Sequence, residues 1–424
     1  MTVQRLAILS IHTSPIAAFG GKKIGGMNVY VRELAQEFGR MGILVDIFTR
    51  AAHTETLKID HSLGDNIRVI NLAAGPPEAL DPTAILPYLA DFTTHLIAFA
   101  TVNNLKYDIA YSHYWLSGLV AMRLKEAWGL PFVQMFHTLG QMKQRIIEQG
   151  IAPDIRIRSE SDIVEQADII IAATHAEQSQ LLWLYRADRR KIVIIPPGVN
   201  LKKFNIKNRP SYDKLAGSDV EKIRFLFVGR IEPLKGIDTI LEALVLIREA
   251  HYDLFQKLRL YIVGGNPADT TDTEMQRLLH LVETFYLEKT VCFLGAKEQS
   301  SLSHFYAEAT AVLMPSDYES FGMVALEAMA SGTPVIASQV GGLAYLIKDQ
   351  VTGYLVPVRQ ADVLANRIVN LSENPDLVER MGRAAASLAR QYAWPHIAFH
   401  LVQVFENILS GKDLSHHKNW AHHW

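Results

Sequence analysis

Short, nearly uninterrupted apolar runs rich in β-branched residues recur along the whole chain. They fall into two series, separated by a polar stretch with Pro and Gly at 200–219. Runs that are continuous rather than alternating are typical of strands buried on both faces of a parallel sheet. The runs predicted as strands are 6–11, 45–48, 67–72, 109–111, 132–136, 169–173 and 192–195 in the first series, and 225–229, 260–264, 291–295, 311–315, 335–338 and 353–356 in the second.

Helical patterns lie between these runs. The clearest is 28–41, where large apolar residues repeat at helical spacing and Gly42 follows as a stop. Alternating strands and helices predict an α/β fold, and 424 residues exceed what one core usually serves. We therefore expect two Rossmann-like, doubly wound domains, at 1–205 and 206–394, with a deep cleft between them that binds the ligands.

The end of the chain continues beyond the second series. Pro395 suits the first turn of a new helix, and the tail 415–424 contains four histidines and two tryptophans. Because no carboxylate stands beside these histidines, we interpret the tail as a surface segment rather than a metal site.

Composition excludes several classes of protein. Lys and Arg number 42 and Asp and Glu number 44, so the net charge of −2 provides no field to attract nucleic acid. The chain is 49% apolar and 20% charged, and no apolar run approaches the roughly 18 residues of a membrane span, so we expect no membrane partner. Cys292 is the only cysteine, and the N-terminus lacks the pattern of a signal peptide, which together predict a cytoplasmic protein.

Two loops that follow predicted strands carry features suited to anions. Gly25 and Gly26 precede the first helix, where backbone amides can approach an anion and the helix dipole favours negative charge. Arg230 and Lys235 lie in the loop after the first strand of the second series and could clamp a diphosphate. The alternatives are an ordinary glycine turn and two solvated cations.

The segment 315–327 is the most informative. A strand ends at its start, Ser320 is predicted to cap the following helix, and Glu319 then lies in the loop. The amides of 321–323 would form an open helix N-terminus that can hold a phosphate, while Glu319 can hold a sugar hydroxyl. Glu327 falls inside the helix among apolar neighbours, which is unusual for a solvent-exposed glutamate.

Histidines and cations follow strands of the first series. His113 and His137 each come directly after an apolar run and are either packed core residues or site residues. A local group of cations suits a phosphorylated substrate, although a solvated helix face is the alternative. This group consists of Lys143, Arg145, Arg156 and Arg158.

The aspartates contain no Asp-x-Asp pair, the pattern that would hold a divalent metal against a nucleotide diphosphate. Charge on such a diphosphate would then be met by Arg230, Lys235 and helix amides. The sequence therefore predicts a metal-independent site without a cofactor.

These motifs together resemble the retaining nucleotide-sugar glycosyltransferases of the GT-B fold. The similar group includes sucrose-phosphate synthase, sucrose synthase and the inositol-phosphate glycosyltransferase of mycothiol synthesis, and the resemblance covers essentially the whole chain. Its most specific parts are Gly25–Val31, His137–Gly140, Gly229-Arg230 with Lys235-Gly236, and the glutamates Glu319 and Glu327.

The resemblance implies a donor site and a catalytic set. Arg230 and Lys235 would bind the donor diphosphate opposite Gly25 and Gly26, and Glu327 would bind the ribose. The other implied donor contacts are Glu319 and the amides of Phe321, Gly322 and Met323 to the hexose, and the main chain of Lys297 to the uracil. The catalytic set would be His137, Glu319, Arg230 and Lys235, with His137 beside the donor sugar near the reacting carbon. The resemblance implies no enzyme nucleophile, and it implies that the helix at 395–424 packs back on the N-terminal domain.

The resemblance also suggests how a phosphorylated acceptor is held. The implied acceptor residues are Asn28, Tyr114, Thr138, Lys143, Arg156 and Arg158. In the inositol-phosphate enzymes a further acceptor-binding lysine lies in the region that matches Pro76–Pro87, where this sequence has none. We therefore expect glucose transfer from UDP-glucose to fructose 6-phosphate, with inositol phosphate or another phosphorylated acceptor as the alternative.

Other readings stay open at this stage. Main-chain contacts to the base would not distinguish UDP-glucose from ADP-glucose. An NAD-dependent oxidoreductase is disfavoured because no Gly-x-Gly-x-x-Gly follows any predicted strand. A non-catalytic protein that binds sugar nucleotides would bind UDP without turnover. The substrates expected are therefore small molecules, and the sequence does not give the oligomeric state.

Overall fold

A computed structural model describes residues 2–16, 25–53, 58–146, 154–208 and 223–412. The described residues form two compact units, of which the first comprises 2–16, 25–197 and 394–412 and the second comprises 198–208 and 223–393. Most of the predicted linker and the tail 415–424 lie outside the described residues.

The first boundary between the units differs from the predicted position at 205. The segment after Pro197 belongs to the second unit. There the amide of Val199 donates to the carbonyl of Tyr392 at 2.7 Å, and the buried Phe204 lies with its ring centre 5.7 Å from that of Tyr306. The boundary was predicted too late because Phe204, a single apolar residue in a polar stretch, does not indicate from the sequence which of the two cores it packs into.

The first unit is built on an eight-stranded sheet, within the described residues, in the order β3-β4-β2-β1-β5-β6-β7-β8. Its strands are β1 Arg5–Leu9, β2 Leu44–Arg50, β3 Ile59–Asp60, β4 Ile67–Leu72, β5 Ile109–His113, β6 Phe132–Met135, β7 Ile169–Ala172 and β8 Ile192–Ile194. All neighbours pair in parallel except β3, which is antiparallel to β4 at the edge. Every apolar run predicted as a strand in this half is a strand, whereas the two-residue β3 was too short to predict.

Helices connect these strands and cover the sheet. They are α1 Gly26–Arg40, α2 Pro82–Ile85, α3 Leu89–Val102, α4 Tyr114–Trp128, α5 Gly140–Ile146, α6 Asp154–Gln166 and α7 His175–Leu184. A helix from the end of the chain, Trp394–Leu409, packs on α1 through the ring pairs Phe38–Phe405 and Tyr30–Trp394, whose centres are 5.9 and 5.5 Å apart.

One helical stretch of the first unit bears on the expectation that the chain has no membrane span. The helical stretch Pro82–Val102 is long and apolar enough, by length and composition, to cross a membrane. In the structure its side chains Leu89, Phe92 and Leu96 are buried in the core of the first unit.

The second unit repeats the plan with a six-stranded parallel sheet, within the described residues, in the order β11-β10-β9-β12-β13-β14. Its strands are β9 Ile223–Val228, β10 Leu258–Val263, β11 Val291–Gly295, β12 Ala311–Met314, β13 Val335–Ser338 and β14 Gly353–Val356. Its helices are α8 Ile237–Ala250, α9 Tyr252–Lys257, α10 Thr273–Thr284, α11 Gln299–Glu308, α12 Met323–Ala330, α13 Leu343–Leu346, α14 Ala361–Glu373 and α15 Pro375–Ala389, and the terminal helix Trp394–Leu409 is named α16. A parallel sheet collects the carboxyl ends of its strands at one edge, so the loops after β9, β11 and β12 lie along one side of this unit.

Candidate active site

A largely buried ion pair joins two loops of the second unit. After β9 the chain makes a short 3₁₀ turn, Pro233–Lys235, and the Nζ atom of Lys235 donates to Oε2 of Glu319, 2.6 Å away, in the loop after β12. The two side chains are only 19% and 16% exposed. Two residues predicted at separate places in the sequence therefore meet, and the pair presents a cation and a carboxylate side by side.

Two glycines let the backbone approach this pair closely. Gly236 adopts a φ of +65°, and a Cβ atom there would lie 2.2 Å from the carbonyl oxygen of Pro315. Gly341 adopts a φ of +45°, and a Cβ atom there would lie 1.9 Å from the carbonyl oxygen of Glu319. Any side chain at either position would push the loops apart, so glycine is required for the geometry of the pair.

The helix after Glu319 begins later than the sequence predicted. Ser320 does not cap it, because α12 starts at Met323 and is preceded by Gly322 in the left-handed conformation, with a φ of +101°. No side chain caps the first turn and no acidic residue lies in it. Its first amides are thus without a side-chain acceptor, which makes this N-terminus favourable to an anion.

Glu327 is held by two side chains of α11. Its Oε1 atom accepts from Nε2 of Gln299 at 2.7 Å, and its Oε2 atom accepts from the hydroxyl of Tyr306 at 2.9 Å. The glutamate is 6% exposed, and burial raises the pKa of Tyr306 well above its usual value, so the phenol keeps its proton and donates. Sequence reasoning missed both partners, since a glutamine and a tyrosine on an amphipathic helix give no signal by themselves.

The remaining donor residues predicted in this unit differ in how far they are exposed. Arg230 pairs with its neighbour Glu232 at 2.6 Å, and the two side chains are 50% and 37% exposed. Lys297 is exposed and follows β11, two residues before Gln299. Phe321 is buried, and its ring lies 6.0 Å from that of Tyr392.

In the first unit, two histidines meet at the ends of β5 and β6. The Nδ1 atom of His113 lies 3.1 Å from Nε2 of His137, and the ring of Tyr30 packs edge-on against both. Burial lowers the pKa of His137 to about 3, with a smaller contribution from the nearby His12. Burial, and then the proximity of His137, also lowers the pKa of His113, so both rings are neutral near pH 7.

Tyr114 and His137 adopt backbone conformations that are rare for residues other than glycine. Their φ angles are +73° and +61°, in the left-handed region. The buried Gln134 donates to the carbonyls of Tyr114 and Met135 at 3.2 and 3.1 Å, and it accepts from the hydroxyl of Ser112. Such conformations cost free energy and are concentrated at functional sites.

Arg156 organises the loop after β6. Its Nε atom pairs with Glu160 at 2.8 Å, and its Nη2 atom donates to the carbonyl of Thr138 at 2.7 Å. The guanidinium lies 4.9 Å from the ring centre of Tyr114, and Glu160 also accepts from the amide of Gly140. The structure therefore brings together three of the predicted acceptor residues, Tyr114, Thr138 and Arg156.

The predicted cluster of cations is not one surface. Arg156 is buried, whereas Arg158, two residues later on the same helix, is exposed. The cause is helical geometry, since residues two apart point in nearly opposite directions. Lys143 lies in α5, and its side chain is outside the described residues.

The start of α1 contains the remaining predicted residues. Gly25 is its N-cap and Gly26 its first residue, and no acidic residue lies in the first turn. Asn28 is buried, and its Nδ2 atom donates to Oγ1 of Thr13 and to the carbonyl of Ser14 at 2.6 and 2.7 Å. Asn28 therefore fixes the loop after β1 through both of its amide hydrogens.

Within the ranges that the structure describes, no group of three or more His, Cys, Asp or Glu side chains is placed to hold a metal ion. The sites that are present are an ion pair beside a helix N-terminus in the second unit and a histidine pair beside an arginine network in the first. Both lie at the carboxyl edge of a parallel sheet, where α/β folds bind ligands.

Comparison with known families matches both halves of the chain. The family described as "Glycosyl transferase 4-like domain" matches residues 25–198, and the family described as "Glycosyl transferases group 1" matches residues 208–388. These matches follow the two units closely.

Individual relatives agree with this assignment. A D-inositol 3-phosphate glycosyltransferase from Actinosynnema mirum is 37% identical over 395 residues, which are 92% of this chain and 94% of that protein. The structure of sucrose-phosphate synthase from Thermosynechococcus elongatus superposes with a TM-score of 0.86 at 31% identity and covers 96% of this chain and 100% of that one. HepE from Anabaena, solved in complex with UDP-glucose, shares the fold with a TM-score of 0.73 at 18% identity, covering 96% of this chain and 100% of that one.

The expected fold and the expected family are thus both confirmed, although the relatives differ in the acceptor that their names state. Two Rossmann-like parallel sheets, family matches over both halves and a relative that is more than one third identical over almost the whole length lead to one conclusion. This chain belongs to the group 1 glycosyltransferases of the GT-B fold.

Proposed function

We propose that this protein transfers glucose from UDP-glucose to fructose 6-phosphate, with retention of anomeric configuration and without a metal. The observation that carries the proposal is the pairing of Lys235 with Glu319 beside the uncapped N-terminus of α12. A cation, a carboxylate and a row of amides at one edge suit a ligand that combines a diphosphate with a hexose.

Binding of the donor would rearrange this pair. A diphosphate carries more negative charge than a single carboxylate and would compete for Lys235. Glu319 would then be free to accept hydrogen bonds from hydroxyls of the glucose. Arg230, now paired with the exposed Glu232, would provide a second cation, and Glu327 would accept from the ribose hydroxyls while Gln299 and Tyr306 hold it in place.

The chemistry needs no nucleophile from the protein. The bond between glucose C1 and the diphosphate oxygen breaks, and the acceptor hydroxyl oxygen forms a new bond to C1 on the same face. The hydroxyl proton passes to an oxygen of the departing diphosphate, so the products are UDP and sucrose 6-phosphate. The role of Lys235, Arg230 and the α12 amides is to stabilise the charge that develops on the leaving group, which is worth about 10²-fold to 10³-fold in kcat for a single donor of this kind.

The acceptor assignment rests on the first unit. Tyr114, Thr138 and Arg156 form one contact network, and Arg158 is exposed nearby on α6. Residues 76–87, which include α2, contain no lysine that could bind inositol phosphate. Similarity to a sucrose-phosphate synthase over 96% of the chain supports the same acceptor.

Inositol phosphate is the second candidate acceptor. The relative from Actinosynnema mirum carries the name D-inositol 3-phosphate glycosyltransferase and is 37% identical over 92% of this chain. That identity exceeds the 31% found for the sucrose-phosphate synthase. Both candidates use a UDP-sugar as donor, and they differ in the phosphorylated acceptor.

Release of UDP from UDP-glucose, measured with each acceptor in turn, separates the candidates. Turnover that depends on fructose 6-phosphate and gives an α-glucosidic product by NMR is expected. Turnover with inositol phosphate alone would transfer the assignment to the second candidate, and no turnover with any acceptor would leave a sugar-nucleotide binding protein. The variant Lys235→Met serves as the control for background hydrolysis.

Variants of the first unit test the acceptor residues. Lys143→Met and Arg158→Met should raise the KM for fructose 6-phosphate more than the KM for UDP-glucose. A larger effect on UDP-glucose would mean that these cations serve the donor.

We also expect the reaction to take place in the cytoplasm, because the exposed Cys292 is a free thiol.

A further inference from the structure

His113 is fully buried at the end of β5 and was not among the predicted binding residues. Its Nδ1 atom lies 3.1 Å from Nε2 of His137. Its Nε2 atom is buried without a hydrogen-bond partner among the residues that the structure describes. The ring of Tyr111 packs 4.2 Å away, and the ring of Tyr30 lies 5.6 Å away.

The contact between the two histidines limits which ring nitrogens can carry a proton. Both rings are neutral near pH 7, so each carries one N–H and one bare nitrogen. The short contact therefore consists of one donor and one acceptor. Either His113 donates from Nδ1 to His137, or His137 donates from Nε2 to His113.

The two arrangements differ in what they leave inside the core. If His137 donated, His113 would carry its proton on Nε2, and a buried N–H would have no acceptor. If His113 donates, its Nε2 is a bare acceptor with no donor. Orphaned buried N–H groups are rarer than under-used acceptors, because a buried donor without a partner loses its full hydration.

We infer that His113 is a positioning residue that donates from Nδ1 to His137 and thereby places the proton of His137 on Nδ1. This inference rests on the proposed function in one respect, which is that His137 lies beside the donor sugar. With the proton on Nδ1, His137 is a hydrogen-bond donor to a sugar oxygen. With the opposite tautomer, the same nitrogen would be an acceptor and would repel that oxygen's lone pairs.

The backbone of His137 supports this role for His113. The residue adopts a φ of +61°, so its ring is presented from a conformation that the surroundings must hold. Packing of Tyr30 and the contact to His113 restrain the ring from two sides. A histidine restrained in this way keeps one tautomer, as metal-bound histidines do when a neighbour fixes the second nitrogen.

The tautomer can be measured directly in the wild-type protein. Histidines labelled with ¹⁵N give ring correlations that distinguish a protonated Nδ1 from a protonated Nε2, and the spectrum of His137→Gln identifies the signals of His137. A protonated Nδ1 on both His113 and His137 is expected. A protonated Nε2 on both, with the N–H of His113 directed at the ring of Tyr30, would overturn the inference.

Variants connect the tautomer to the reaction. His113→Asn keeps an N–H near the position of Nδ1 and should preserve the His137 tautomer and most of the turnover. His113→Leu removes the donor, and we expect kcat to fall about 10-fold to 100-fold with a smaller change in the KM for UDP-glucose. Equal kcat values for the Asn and Leu variants would contradict the role.

A matched control separates positioning from packing. Tyr111→Phe changes a buried ring that touches His113, and it removes a hydroxyl bonded to Tyr30, but it leaves the histidine contact intact. It should lower thermal stability without changing the tautomer or kcat. If wild type shows no glycosyl transfer, the proposed function fails while the measured tautomer still decides the role of His113.

Discussion

Tyr306→Phe tests whether Glu327 is a buried carboxylate held in place by α11. The phenol of Tyr306 donates to Oε2 of Glu327 at 2.9 Å, and the tyrosine is fully buried. The substitution removes one oxygen atom and leaves the ring, so the surrounding packing is retained. What is lost is one side-chain donor to the carboxylate, while the hydrogen bond from Gln299 is kept.

The expected magnitude follows from the charge of the acceptor. A hydrogen bond to a charged group contributes about 1.5 to 3 kcal/mol, against about 0.5 to 1.5 kcal/mol for a neutral pair. We therefore expect Tyr306→Phe to lower the free energy of unfolding by about 2 kcal/mol. For a domain of about 150 to 250 residues this corresponds to a fall in Tm of roughly 4 to 8 °C.

The same unit offers a matched control. The hydroxyl of Tyr354, also a buried tyrosine, donates to Oδ1 of Asn370 at 2.8 Å. Tyr354→Phe removes the same atom from a neutral hydrogen bond and should cost about half as much or less. Calorimetric or denaturant unfolding of both variants measures the difference, and the KM for UDP-glucose should rise several-fold only for Tyr306→Phe.

A double-mutant cycle gives the result that would refute this reasoning. If the hydroxyl of Tyr306 serves the charge of Glu327, its removal should cost less once Glu327→Gln has neutralised the acceptor, with a coupling of about 1 kcal/mol. Additive effects, or equal losses for Tyr306→Phe and Tyr354→Phe, would show that the carboxylate does not depend on this bond.

Three further predictions concern stability and metal. Arg156→Met should destabilise the protein by about 3 to 5 kcal/mol because it leaves the buried Glu160 without its cation, whereas Arg158→Met should change unfolding by less than about 0.5 kcal/mol; equal losses would contradict the assignment. Burial raises the pKa of the Glu177 carboxyl to about 7, whereas the unfolded chain releases this proton near pH 4.5. The free energy of unfolding of wild type therefore falls by about 3 kcal/mol as the pH rises from 4.5 to 7. Glu177→Gln should therefore gain more stability over wild type at pH 8 than at pH 5 in thermal unfolding, and an equal gain at both would refute the buried carboxyl. UDP release should be unaffected by EDTA, and a loss restored by Mg²⁺ or Mn²⁺ would contradict a metal-independent site.

The strands could be predicted because a strand that is buried on both faces of a sheet is a nearly continuous run of apolar residues. Runs such as 67–72 and 335–338 are mostly apolar and rich in β-branched residues, and both become strands with those bounds. The start of α12 could not be placed, because Ser320 is a good capping residue in isolation. In the structure Gly322 is left-handed and lies beside Leu343, and Gly341 packs against Glu319. Both glycines therefore contact segments that are distant in the chain, which a local capping preference does not include.

Some of the candidate site residues could likewise be predicted from the sequence, and others could not. Lys235 and Glu319 could be proposed from their positions after strands, because every strand of a parallel sheet ends at the same edge. Arg156 could be found as a cation but not as a buried one, since its burial depends on Glu160 and on the loop after β6. Gln299 and Tyr306 were missed because each contacts Glu327 only through tertiary packing, and His113 was left open as either a core or a site residue.

The sequence alone determined two α/β units, the strand-end positions of the loops that we expect to bind anions, and the resemblance to glycosyltransferases. These properties depend on residues near one another in the chain, whose hydrophobic period and turn chemistry can be read locally. Tertiary structure alone decided that Lys235 pairs with Glu319, that Arg156 bonds to Glu160 and Thr138, and that His113 lies 3.1 Å from His137. Hydrogen bonds between distant segments depend on distances of a few ångströms, and packing sets those distances.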